Sequence, residues 1–295
     1  MIYNSFRSYL YEMTARDAIA DIKKLKIPKD ISKLSRSQAQ QKCPEVLKFY
    51  DELIDTIRKS SYTKSIDFID DIVKEPKLKF LLSLGFGGNF ASLNLNINQA
   101  VLPVQTLVPT QNEIGLGESL DFIIGAAKNF KPANIDVCFD DEKTGVVIKR
   151  PIVTFNHNFI VDGHHRWSQI YITNPNANVK VINITGQLTV IALLKAIQST
   201  IGSNTGNLNL KKVQGKNIFK INDNSIIKYI KNNITETALE HLDKYYTEPV
   251  EDLYQNVLQL KYNTPHVSSF DREYMPQTSK DTDLFHDLDN GIETL

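Results

Sequence analysis

The side chains best able to do chemistry are concentrated in one stretch, Phe159-Ile160-Val161-Asp162-Gly163-His164-His165-Arg166-Trp167. β-forming residues run into Asp-Gly, two histidines and an arginine, and then into a helical pattern. This order predicts a strand that ends in a tight turn and opens a helix. Gly163 lets the backbone turn and lets a ligand approach it closely. The first N–H groups of a helix have no intrahelical partner, and the helix dipole favours negative charge there. His164, His165 and Arg166 add donors at the same place, and a guanidinium can fork onto two phosphate oxygens. The chemistry implied is phosphate binding at a helix N-terminus. One of the two histidines is available to titrate near neutral pH, and His165 is the candidate for a catalytic role. Asp162 is placed to hold Mg²⁺ or to orient a histidine, since magnesium takes only one or two protein carboxylates. A further carboxylate close to a terminal phosphate would take the proton of an attacking hydroxyl. The same residues also read as an ordinary Asp-Gly turn with a solvated helix start.

The elements that must position this corner are read from hydrophobic periodicity. Residues 1–90 form a helical N-terminal region. Ala18, Ile19, Ile22 and Leu25 keep helical spacing after a Thr14 cap, and Pro28 stops the run. Val46, Leu47, Phe49, Tyr50, Leu53, Ile54 and Ile57 make a second stripe, and Ile66, Phe68, Ile69 and Ile72 a third after Ser65; all are read as core. Gly85-Phe86-Gly87-Gly88 is followed by neither lysine nor helix, so it is a turn or linker and not a P-loop.

Residues 95–200 alternate between strand and helix. Strands are predicted over 100–108, 135–139, 146–149, 151–155, 159–161 and 179–184, with hairpin loops at 140–145 and 156–158. Helices are predicted over 118–130, after Gly163, and over 188–199, with Trp167 and Tyr171 as packing residues of the corner helix. Residues 201–216 read as a linker. In 217–265 a strand over 217–221 precedes helices over 225–232, 236–246 and 250–262. Residues 266–295, polar and rich in Asp, read as a loosely held tail. The fold class is α/β of the α+β kind, with a small mixed sheet in the central domain and helical regions on both sides.

With 295 residues, 34 basic and 34 acidic, the net charge is zero. This argues against a general nucleic-acid coat, which needs a basic face, and leaves room for a local basic patch. Cys43 and Cys138 lie far apart without metal-type spacing, so neither a disulfide framework nor a zinc site is expected, and a reducing cytosol fits. No run of eighteen apolar residues exists, so no membrane span is expected. The N-terminus lacks the apolar core of a signal peptide.

Two segments resemble the ParB/sulfiredoxin-like fold. Leu102-Pro103-Val104-Gln105-Thr106-Leu107-Val108-Pro109-Thr110-Gln111-Asn112-Glu113 is similar to that family's opening strand. Pro151-Ile152-Val153, leading through Ile160 to Arg166, is similar to its strand hairpin and phosphate-binding corner. The Asp-Gly-His-His-Arg form resembles the free-serine kinase branch more than the chromosome-partitioning branch. Sulfiredoxins carry cysteine where this chain has histidine, so sulfinic-acid reductase chemistry is expected to be absent. The resemblance implies that Gly163, His164, His165 and Arg166 bind the phosphates of ATP, ADP or CTP; Mg²⁺ at Asp162 follows from the carboxylate chemistry above. It also implies a glutamate base soon after the first strand, with Glu113 the nearest match and Glu118 the alternative. Separately, Asn4-Ser5-Phe6-Arg7-Ser8-Tyr9-Leu10-Tyr11-Glu12 resembles the short leaders of tailed-phage proteins. Its Leu10-Tyr11-Glu12 matches the cleavage pattern of some head-maturation proteases. That resemblance implies a bacteriophage protein in the host cytoplasm or packaged in the virion, with a capsid or host partner.

Three functions stand as expectations. The first is a ParB-like kinase or nucleotide hydrolase. The second is a DNA-associated module, either a nuclease or a CTP-gated clamp. Its helix-turn-helix would have to fall in 225–246, where Lys228 and Lys231 are offset by Glu236, Glu240 and Asp243, a poor set for phosphate contacts. The third is a non-catalytic phage internal or structural protein that keeps the fold as a scaffold.

Overall fold

The computed structural model describes residues 13–83, 94–125, 139–141, 146–148, 150–210, 215–265 and 270–276. The chain is mixed α+β, as the alternating pattern predicts. It divides into two compact units, each discontinuous in sequence. One comprises residues 1–95, 187–210 and 276–295, the other residues 96–186 and 211–275. The leader with Leu10-Tyr11-Glu12, the Gly85–Gly88 turn, Cys138, and residues 277–295 of the expected tail lie outside the described residues.

The first unit is helical. Helix α1 (Ala15–Ile22) opens on Thr14 and Asp17, each side chain accepting the other's backbone N–H, and α2 (Arg36–Lys42) repeats this capping box with Ser35 and Gln38. The whole predicted stripe from Val46 to Ile57 is buried along α3 (Pro44–Lys59), and Ile66, Phe68, Ile69 and Ile72 are buried along α4 (Tyr62–Ile72). Helix α4 starts after Ser61 and not after Ser65; the Ser65 hydroxyl is turned back onto the Tyr62 carbonyl inside the helix. Helix α5 (Pro76–Ser83) and the later helix α8 (Val190–Thr205) complete the unit, with α8 packed on α3, α4 and α5. Helix α8 continues beyond residue 199, into the stretch expected to be a linker, and a left-handed Gly206 ends it. Its Lys195 is buried, and Nζ donates to the carbonyls of Ile57 and Arg58, both at 3.1 Å, and of Ser60 at 2.5 Å. These sit at the C-terminal end of α3, where carbonyls have no intrahelical donor and the dipole favours a cation.

The second unit is built on a five-stranded mixed sheet, with strands β1 (Asn96–Pro103), β2 (Val108–Pro109), β5 (Ile152–Phe155), β6 (Phe159–Asp162) and β7 (Asn178–Thr185) in the order β1-β7-β5-β6-β2. β1 runs antiparallel to β7, β7 parallel to β5, β5 antiparallel to β6, and β6 parallel to β2. The strand predicted over 100–108 is two strands: the chain turns through a short 3-10 segment, Val104–Thr106, after Pro103. A separate hairpin pairs β3 (Phe139–Asp141) with β4 (Val146–Ile148).

Helices α6 (Leu116–Ile124), α7 (His164–Thr173), α9 (Asp223–Asn233), α10 (Glu236–Leu242) and α11 (Pro249–Asn263) share one core with the sheet. Trp167 is fully buried at its centre; its ring N–H donates to the Val104 carbonyl at 3.0 Å, and its ring meets Tyr171 edge-on. The strand expected over 217–221 is a turn. The Asn217 side-chain oxygen accepts the Phe219 N–H at 3.1 Å, which bends the chain locally in place of a ladder. No helix among the described residues is long and apolar enough to cross a membrane.

Candidate functional site

The strand-turn-helix corner forms where the sequence places it. The β5–β6 ladder slips by one residue between Val153↔Asp162 and Thr154↔Ile160, leaving Val161 as the extra residue. Such a bulge adds local twist and so re-aims Asp162 and the turn beyond it. Gly163 then takes a left-handed conformation, φ 91°, as the residue before α7. A side chain there would be strained, and its Cβ would also come within 2.8 Å of the Arg166 guanidinium, which lies over the bare Cα.

The two ends of α7 differ. Its last carbonyls are taken by other elements: Asn256 donates to Ile172 O at 2.8 Å, and Tyr246 donates to Thr173 O at 3.0 Å. At its first turn the glycine gives no side-chain cap. The N–H groups that helix geometry leaves over are available to an outside acceptor.

Arg166 pairs with Asp162 through one nitrogen, NH2 to Oδ2 at 2.5 Å, one helical turn apart. Its Nε is buried and has no hydrogen-bond partner among the described residues. A buried guanidinium nitrogen without an acceptor is costly, a cost that a ligand oxygen would relieve only if the side chain turned to expose it.

The histidines serve the protein differently from the expectation. The Thr110 N–H donates to His164 Nε2 at 3.2 Å, and the Thr110 hydroxyl lies 3.3 Å from the same nitrogen while donating to Ile160 O. The Gly115 N–H donates to His165 Nε2 at 3.1 Å. Each Nε2 is therefore an acceptor, which places the proton of each neutral ring on Nδ1. Burial, followed by the charges of His165, Arg166 and Arg272, pushes His164 down to about 3. Burial and then Arg272 push His165 down to about 4, against the pull of Glu118 and Asp162. The expectation that one of them titrates near neutrality is corrected: desolvation keeps both rings neutral. Their Nε2 atoms hold the 110–115 loop against the corner, so it is not these atoms that donate to a ligand.

That loop is held from two further sides. Asn217 donates to Asn112 O at 2.8 Å, Ile218 N–H to Ile114 O at 2.9 Å, and Leu116 N–H to Lys216 O at 2.8 Å. From the other direction comes Phe270–Met275, part of the stretch expected to be a loose tail. Phe270 bridges to Gln111, and its carbonyl accepts the Asn112 N–H at 3.0 Å. Asp271 accepts from the Asn112 side chain at 3.0 Å, and Met275 is buried at 1 % exposure.

Glu113 belongs to this docking. Its Oε2 accepts the Arg272 N–H at 3.4 Å, and its carbonyl accepts from Gln111 at 2.5 Å. Glu118 lies nearer the histidines in effect, since its charge bears on His165, and its Oε1 is 3.7 Å from Arg272 NH1. The Glu118 carboxylate folds back over the bare Cα of Gly115, occupying the space a side chain would need. Behind the corner, Ser119 and Ser168 share a hydrogen bond at 2.6 Å that ties α6 to α7.

The structure thus brings Asp162, Gly163, His164, His165 and Arg166 together with Glu113 and Glu118, and adds Thr110, Gly115 and Arg272, which sequence reading missed. Only the apolar Phe270 and Met275 on either side of Arg272 hinted that this segment packs. Among the described residues no group of three or more His, Cys, Asp or Glu side chains is arranged to hold a metal ion. Asp162 keeps one carboxylate oxygen clear of its partner Arg166. That suits a magnesium ion arriving with its own phosphates better than one held by protein ligands alone. Comparison with family models, with curated proteins and with solved structures gives no match.

Proposed function

We propose that the second unit is a ParB/sulfiredoxin-like nucleotide-binding domain whose Asp162–Arg166 corner takes the phosphates, for phosphoryl transfer or nucleotide hydrolysis. The observation that carries this reading is the pairing of an uncapped helix start at a left-handed glycine with a buried, partnerless Nε on Arg166. Both features leave donors unused beside one another, and an oxyanion is the ligand that uses both.

In this reading Arg166 and the first N–H groups of α7 bind phosphate oxygens, and Asp162 orients the guanidinium. Where Mg²⁺ accompanies the nucleotide, Asp162 would be its protein ligand, and the ion would neutralise phosphate charge. His164 and His165 are positioning residues for the 110–115 loop. Glu113 and Glu118 are the candidate bases, both held beside Arg272. In this reading, which the leader resemblance supports, the protein acts in the cytoplasm of an infected host or is packaged with a phage genome.

The test is calorimetric titration of the full chain with ATP, ADP, CTP and GTP in the presence of Mg²⁺, on wild type and Arg166→Ala. The expected result is binding of at least one nucleotide by wild type and its loss in the variant. Equal binding by both would move the site elsewhere. Binding confined to CTP and strengthened by DNA would favour the gated-module reading over the kinase one.

A further inference from the structure

Arg272 reaches the corner from a segment far along the chain, and its guanidinium is under-used. Its nearest acceptor is Glu118 Oε1 at 3.7 Å, an electrostatic contact longer than a hydrogen bond. No described residue accepts a hydrogen bond from the guanidinium; the hydrogen bonds Arg272 makes are through its backbone, the N–H donating to Glu113 and the carbonyl accepting from the Met275 N–H. The side chain is 21 % exposed, so much of it is already out of water. His165 Nε2 accepts the Gly115 N–H at 3.1 Å and the Glu118 carboxylate folds over Gly115, so a guanidinium 3.7 Å from Glu118 lies on the His165 side of the corner.

We propose that Arg272 is the second cationic arm of this site, and that the anion it helps to bind is a polyphosphate and not a single phosphate. The inference rests on the phosphate reading of the corner and goes further by assigning the binding of the outer phosphate groups to a residue supplied by the C-terminal segment. A lone phosphate on Arg166 and the first N–H groups of α7 leaves Arg272 with only its long contact to Glu118. A second and third phosphate group supply the missing acceptors. Glu118 is the occupant that the ligand displaces: its carboxylate folds over Gly115 and is held by no short hydrogen bond among the described residues. The docking contacts made by Phe270, Asp271, the Arg272 backbone and Met275 do not use the guanidinium, so its removal leaves the segment its anchors.

The test titrates the full chain with orthophosphate, pyrophosphate and tripolyphosphate by calorimetry. Wild type should prefer tripolyphosphate over orthophosphate by about tenfold or more, the worth of one charged hydrogen-bonding group. Arg272→Ala should lose that preference while keeping its orthophosphate affinity. Glu118→Gln, which removes the competing anion, should bind tripolyphosphate more tightly than wild type. Arg272→Lys keeps the charge without the fork, and it should fall between wild type and Ala even if the Ala variant proves unstable. Tripolyphosphate affinity unchanged in both Arg272 variants but lost in Arg166→Ala would overturn this proposal and leave the corner reading standing. Affinity unchanged in Arg166→Ala, or no binding of any probe by wild type, would overturn both.

Discussion

Acid should destabilise the second unit before it affects ordinary carboxylates, because two imidazoles are buried there in their neutral form. The usual histidine value is 6.5, and in the folded chain His164 is pushed down to about 3 by burial. Between those values the unfolded chain binds a proton that the folded chain refuses. Stability is therefore fully present above about pH 6.5 and is lost as pH falls toward 3. Between pH 8 and pH 5 the loss from His164 amounts to about 2 kcal/mol, a large share of a typical 5–15 kcal/mol. His165, pushed down to about 4, adds a contribution of the same sign. The assay is urea unfolding followed by tryptophan fluorescence at pH 8, 6.5 and 5. Trp167 is the one tryptophan of the chain and is fully buried in the corner helix, so it reports this unit. In His164→Gln the side-chain oxygen can still accept the Thr110 N–H but cannot titrate. This variant should lose about 2 kcal/mol less than wild type between pH 8 and pH 5. A wild-type midpoint that does not move over this range, or an equal loss in the variant, would refute the assignment of a neutral, backbone-bound His164.

Other perturbations have equally definite outcomes. Gly163→Ala puts a Cβ on a left-handed backbone and against Arg166; it should cost about 1–2 kcal/mol in the Trp167 transition and weaken phosphate binding by displacing the guanidinium. Lys195→Met leaves three carbonyls at the end of α3 without their shared donor. It should cost about 3 kcal/mol by circular-dichroism melts and speed hydrogen exchange in the last turn of α3. Met275→Asp buries a charge at a position of 1 % exposure and should undock the C-terminal segment, making the Arg272 bond newly sensitive to trypsin. The same variant should bind tripolyphosphate as weakly as Arg272→Ala does.

Much of the frame was legible in the sequence because it rests on local rules. The Val46–Ile57 stripe, the Thr14 cap and the Asp-Gly corner each depend on residues within a turn or two of each other, and they stand where periodicity and turn chemistry place them. The corner was legible as a strand, turn and helix, but the partners of its residues were not. Nothing near His164 or His165 in sequence says that their Nε2 atoms accept from Thr110 and Gly115, about fifty residues upstream. Asn217 reads as the start of a strand, yet its side chain turns the chain. Arg272 sits in a polar stretch whose composition argues for looseness. Its docking depends on Phe270 and Asp271 meeting a loop that no local pattern could place beside them, and on the burial of Met275.

The 110–115 loop has a consequence in time as well as in space. It is clasped by a segment 159 residues further along the chain, the separation between Glu113 and Arg272. At ribosomal speeds of about 5–20 residues per second, roughly ten to thirty seconds pass between the synthesis of the loop and that of its clasp. During that interval the nascent corner has Arg166 but not Arg272, and its loop is pinned on fewer sides. A corner assembled in this order gains Arg272 only after nearly all of the described chain has been made.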